Sequence, residues 1–264
     1  MNNDRQPAVA GLFYPADPAV LRRQVESLMA AVEPRPRLPM DVKALVAPHA
    51  GYPYSGPVAA SAYAHLAPIA ARIRRVVLFG PAHRYPFRGI AYPDADRLLT
   101  PLGPVEVDRA ALDAVSQLPQ VHRLDAAFEG EHCLEVQLPF LQALLENFRV
   151  APFVVGGADP QDVAELMARL WGGPETLILV SSDLSHYLDY DTAGRVDRRT
   201  TRAIEQLEPG LLDHHAACGA TPLCGLLLEA QRRGLRAHTL DLRNSGDTAG
   251  PRDRVVGYGA YAFA

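Results

Sequence analysis

Lys43-Ala44-Leu45-Val46-Ala47 is a short, mainly apolar run that leads straight into Pro48-His49-Ala50. The same arrangement occurs twice more. Val76 to Phe79 runs into Gly80-Pro81-Ala82-His83, and Leu177 to Val180 runs into Ser181-Ser182-Asp183-Leu184-Ser185-His186. Each run reads as a buried strand, and each delivers a histidine just past its end. In an open α/β sheet, ligands and catalytic groups collect in the crevice beyond the carboxyl ends of the strands. Three such exits can converge on one pocket.

Further β-rich runs lie at Val105 to Val107, Val150 to Val155, Leu235 to Leu242 and Val255 to Phe263. Helix starts punctuate the intervals. Asp17-Pro18 reads as an N-cap followed by proline at the first helical position, opening a helix to about Val32; Asp159-Pro160 and Thr221-Pro222 repeat that signal. The alternation predicts an α/β fold with a central mixed, largely parallel sheet flanked by helices. The last run, carrying Gly257 and Gly259, can instead pair as an antiparallel edge. Glu33-Pro34-Arg35-Pro36-Arg37-Leu38-Pro39 is expected to be a loop into the first long strand. With no internal repeat, the 264 residues are expected to form one domain over 1–264.

Composition narrows the partners. With 26 Lys+Arg against 30 Asp+Glu, the net charge of -4 gives no basic footprint for nucleic acid, and no polybasic stretch suits a membrane surface. No run approaches the roughly 18 apolar residues of a transmembrane helix. The start Met1-Asn2-Asn3-Asp4-Arg5-Gln6-Pro7 lacks the basic and apolar regions of a signal peptide. Cys133, Cys218 and Cys224 form no CxxC pair, so a reducing cytoplasm is expected, with small molecules, peptides or proteins as partners.

His49 and His83 are the first candidate metal ligands. Neutral imidazoles suit iron, copper and zinc, and two of them with one carboxylate leave positions open on non-heme Fe(II). His186 follows Asp183 by three residues, and that pair can fix an imidazole tautomer for proton transfer. Ser181 and Ser182 are also ordinary capping residues. No G-x-S-x-G elbow is present, which argues against a serine hydrolase. Glu131-His132-Cys133-Leu134-Glu135 is expected to open a helix with Leu134, Leu138, Leu141 and Leu145 on one face. On that reading His132 lies at a helix N-terminus, both glutamates answer the helix dipole, and Cys133 is a small core residue. Asn244-Ser245-Gly246-Asp247 is either turn chemistry or the source of a missing third metal donor, Asp247. His65, His122, His214, His215 and His238 share no pattern with the others.

These segments together resemble the MEMO family, also described as AmmeMemoRadiSam system protein B. The resemblance is carried by Ala8-Val-Ala-Gly-Leu-Phe-Tyr-Pro15 at the N-terminus, Ala47-Pro-His-Ala-Gly-Tyr52, Tyr54-Ser-Gly56, Gly80-Pro-Ala-His83, Thr100-Pro-Leu-Gly103, Glu131-His132, Leu138-Pro-Phe-Leu141, Ser181-Ser-Asp-Leu-Ser-His186, Asn244-Ser-Gly-Asp247 and Val256-Gly-Tyr258. It covers essentially the whole chain and implies a single MEMO-like domain. It also implies the fold of class III extradiol ring-cleaving dioxygenases of the LigB type, whose iron is held by two histidines and a glutamate. By that resemblance His49 and His83 match the metal-binding histidines, while Asp183 and His186 match the pocket Asp and His, with His186 as the base. His132 is expected to line the pocket. The third donor departs from the animal pattern, whose cysteine would fall at or beside Thr248, and Asp247 stands in for it. The implied function is a mononuclear Fe(II) site, with copper or zinc as other occupants, supporting oxygen-dependent oxidation. A second implication is a non-catalytic peptide-binding module or an accessory protein acting with AMMECR-type and radical SAM partners. Fold kinship alone does not transfer a reaction.

Overall fold

The computed structural model describes residues 3–32 and 41–264, so the expected loop at 33–39 and the first two residues lie outside it. Strands β1 to β12 are Asp4–Arg5, Ala44–Ala47, Arg75–Pro81, Ile90–Tyr92, Arg97–Thr100, Gly103–Val107, Val121–Arg123, Arg149–Val155, Thr176–Ser181, His186–Leu188, Ala237–Asn244 and Val255–Phe263. Helices α1 to α7 are Pro18–Ala30, Tyr52–Tyr63, Arg109–Val115, Leu138–Leu144, Pro160–Arg169, Tyr190–Glu205 and Ala220–Arg233.

Twelve strands form one sheet whose main path runs β1-β5-β6-β8-β3-β9-β2-β12-β10. Its centre, β6-β8-β3-β9-β2, is parallel throughout. Nearly every residue of β2, β3, β8 and β9 is buried, as strands covered on both faces must be. That is why each reads as a continuous apolar run with no polar alternation. β12 is antiparallel to β2, β10 and β11, so the glycine-bearing final run is antiparallel as one reading held, yet lies inside the sheet and not at its edge.

Two helix groups cover this sheet. α1, α2 and α4 contact one another, with α2 reaching β2 and β12; α5 and α7 contact each other, with α7 against β3 and β9. Asp17 caps α1 by accepting from Val20 N, and Asp159 caps α5 by accepting from Gln161 N, as the Asp-Pro signals predict. α7 departs from expectation. It starts at Ala220 behind Gly219, which puts Thr221 and Pro222 inside its first turn. The helix expected from Glu131 also starts later: residues 131–134 are irregular, Glu135–Gln137 is a 3-10 turn, and α4 begins at Leu138.

Strand order does the positioning. β3, β9 and β2 are adjacent and parallel, so their exits, bearing His83, Asp183 and His49, emerge side by side at one edge. This is the crevice geometry expected of the three histidine-delivering runs.

Candidate metal centre

His49, just beyond β2, and His83, just beyond β3, have ring centroids 5.1 Å apart. His132 completes the group, 5.6 Å from His49 and 5.0 Å from His83, the latter nearly stacked. One donor atom from each of these three imidazoles lies within 4.8 Å of the other two, close enough to share one ion. His132 reaches the cluster because its loop crosses the end of β3 at Gly80. A Cβ there would stand 2.5 Å from Cys133 Sγ and 2.8 Å from Leu134 Cδ2, so only glycine admits the approach.

Glu131 organises this corner. Its carboxylate accepts from His83 Nδ1 at 3.0 Å and His83 N at 2.7 Å, and from His132 N at 2.8 Å and Cys133 N at 3.0 Å. Burial alone would raise its pKa. The His83 imidazole and the backbone N–H donors outweigh that and hold it down at about 2. A fixed anion therefore binds His83 Nδ1 and leaves Nε2 facing outward, the orientation a carboxylate gives a metal-bound histidine. Glu131 is thus no surface carboxylate answering a helix dipole, as the sequence suggested. Neither is Glu135, which is buried and accepts from Ala8 N, Val9 N and the Tyr14 hydroxyl. Those bonds hold the N-terminal segment in place, and Phe13 from that segment meets the His132 ring edge-on at 4.8 Å.

Burial, then the neighbouring imidazoles, push His49 down to about 3 and His132 down to about 4. Both are therefore neutral at neutral pH, as metal ligation requires. His132 Nδ1 is buried and makes no hydrogen bond, its contact with Glu131 Oε1 being long at 3.5 Å. Such an orphaned nitrogen is costly unless something completes it.

A thiol also reaches the cluster. Cys218 Sγ is 3.2 Å from His49 Nε2, held in the turn before α7, where Asp183 N donates to Sγ at 3.3 Å. That turn seats itself on the β9 exit through Gly219, whose N donates to Ser182 Oγ; a Cβ on Gly219 would stand 2.7 Å from Ser182 Cβ. Burial, then the Asp183 carboxylate, lifts the Cys218 thiol to about 12. Nothing in the sequence marks Cys218, which lies 169 positions from its partner His49.

Asp183 accepts from His49 N at 2.7 Å, so it braces the β2 exit; among the described hydrogen bonds none joins it to His186. Burial raises its pKa against the pull of the His49 N–H and the surrounding imidazoles. His186 opens β10, paired with Val256 of β12, and its ring lies 5.8 Å from that of Tyr187. Asp247 has other employment: Oδ1 accepts from the Tyr190 hydroxyl at 2.5 Å and Oδ2 from Asn244 N at 3.0 Å. It closes the capping box of its own turn, and among the described residues the grouped donors do not include it.

The chain matches the family model described as "Memo-like protein" over residues 5–262. Named relatives agree in length as well as sequence. A MEMO1 family protein of Sulfolobus acidocaldarius is 36% identical over 98% of this chain and 99% of its own. One from Methanosarcina barkeri is 36% identical over 97% and 98%, and one from Ignicoccus hospitalis 38% over 98% of each.

Proposed function

The chain belongs to the Memo-like protein family, and from that premise we propose that its cleft is a mononuclear metal site for Fe(II) that serves oxygen-dependent oxidation of a small molecule. The observation carrying this reading is the triad of imidazoles at the strand exits, with His132 Nδ1 buried and unpartnered among them. His49, His83 and His132 would hold the ion, with Cys218 beside His49. Three imidazoles also suit zinc and copper, so metal identity is part of the proposal. Fe(II) in that position would supply the redox chemistry that oxygen requires.

The chain's own groups have distinct tasks. Glu131 orients His83 and Asp183 braces the backbone carrying His49. His186 moves a proton to or from substrate, the task an imidazole beside a reacting group performs. Anaerobic Fe(II) loading followed by oxygen-uptake assays on a panel of catechols separates the roles. His186→Ala is expected to retain its iron and lose turnover. Iron loss in that variant would make His186 a ligand and end its assignment to proton transfer.

A second reading has its own support. Tyr54, Tyr85 and Tyr187 are exposed on segments flanking the site histidines, a surface suited to a ligand larger than a catechol. On that reading the protein binds a peptide, or works in the cytoplasm with AMMECR-type and radical SAM partners in a modification system. Ligand-dependent retention of those partners without oxygen uptake would favour it.

A further inference from the structure

A chain of buried polar side chains, Tyr63, Gln137 and Ser181, runs up to His49. The Tyr63 hydroxyl is 2.6 Å from Gln137 Oε1, and Gln137 Nε2 is 2.9 Å from Pro48 O and 2.7 Å from Ser181 Oγ. Ser181 Oγ is in turn 2.6 Å from Cys133 O and 2.9 Å from His49 Nδ1. Ser181 is wholly buried and Gln137 is 1% exposed.

Proton directions follow because the network ends on two groups that can only accept. The Pro48 carbonyl needs a donor, so the Gln137 atom facing it is the amino nitrogen, and the amide oxygen faces Tyr63. The second amino hydrogen then points at Ser181 Oγ. The Cys133 carbonyl also needs a donor, and at 2.6 Å that donor is the single hydroxyl hydrogen of Ser181. Ser181 has no hydrogen left, so its lone pairs accept from Gln137 and from His49 Nδ1. Reversing any one bond would set two lone pairs or two hydrogens against each other away from water, which is expensive.

We infer that Ser181, oriented by Gln137, is a positioning residue that locks His49 in the Nδ1-protonated tautomer and so reserves its Nε2 lone pair for a metal beside Cys218. This rests on the metal reading above for its purpose but not for its geometry. Without the lock an imidazole of this kind exchanges between tautomers, and the form protonated on Nε2 cannot ligate through that atom. Outer hydrogen-bond partners of this sort typically carry about 10–100-fold of metal affinity.

Long-range 1H–15N spectra of the metal-free wild-type protein read the tautomer directly, and Zn(II) titration reads the affinity. The expected result is a hydrogen on His49 Nδ1, with Nε2 unprotonated. Ser181→Ala and Gln137→Leu should each mix the tautomers and weaken Zn(II) binding about 10–100-fold. Tyr63→Phe, which leaves the Pro48 and Ser181 bonds intact, should keep the wild-type tautomer. A hydrogen on Nε2 in the wild type, or an unchanged tautomer and Zn(II) affinity in Ser181→Ala, would overturn the inference. Should both network variants fail to fold, the wild-type spectrum still decides. Wild-type protein that takes up neither Zn(II) nor Fe(II) but carries hydrogen on Nδ1 would refute the metal reading and leave the tautomer assignment standing.

Discussion

Glu131 is the side chain on which the corner between His83 and His132 depends, because one buried carboxylate accepts from four N–H groups there. Glu131→Gln replaces an acceptor by an amide whose NH2 faces donors. Losing charge-assisted bonds of this kind should cost about 2–4 kcal/mol in denaturant titrations and about 10–100-fold in metal affinity. A variant with wild-type stability and affinity would show that the carboxylate merely fills space. That His49 and His83 meet was legible in the sequence because each follows an apolar run, and position after a strand is a local property; His186 reads the same way, yet the grouped imidazoles among the described residues are His49, His83 and His132. Glu131 was not legible, since a carboxylate ahead of a leucine-spaced stretch reads equally well as a first-turn residue. Cys218 was invisible for a different reason: only the docking of Gly219 on Ser182 carries its thiol to His49. Asp247 reads as available because a turn aspartate follows a strand, while in the fold its oxygens accept from Tyr190 and Asn244.

Within the N-terminal segment, the Glu135 carboxylate holds Ala8 N, Val9 N and the Tyr14 hydroxyl together. Removing it in Glu135→Ala leaves three donors unpaired in a buried place and should cost about 3–5 kcal/mol. Hydrogen exchange should quicken at Ala8 and Val9 ahead of the central strands; uniform protection across the variant would contradict that role. The apolar runs that became β2, β3, β8 and β9 show no alternation because burial on both faces removes the need for it. β4, β7 and β10 have no sequence signal of their own, being three residues long with few consecutive β-branched residues. α2 was equally hidden, since Pro53, Gly56 and Pro57 read as breakers. Gly56 is there for contact: a Cβ would meet Leu28 Cδ1 of α1 at 2.9 Å.

Acid should destabilise the metal-free protein through the same imidazoles. His49 and His132 titrate at about 3 and about 4 when folded, below their ordinary 6.5, so the unfolded chain binds more protons throughout that interval. Stability is then fully present above pH 6.5 and falls as pH drops below it, by up to about 1.4 kcal/mol per unit for each group. Denaturant titrations of metal-free protein should give a folding free energy about 2–4 kcal/mol lower at pH 5 than at pH 7; equal values would mean that these rings are protonated in the fold. A bound ion should oppose the loss by mass action, adding about 2.7 kcal/mol at a hundred times its Kd. The most direct measurement is elemental analysis after anaerobic Fe(II) reconstitution and desalting, comparing the native chain with His49→Ala/His83→Ala. One iron per native chain, absent from the variant while its circular dichroism is unchanged, is the predicted result. No iron in the native protein, or equal iron in both, would contradict the metal centre.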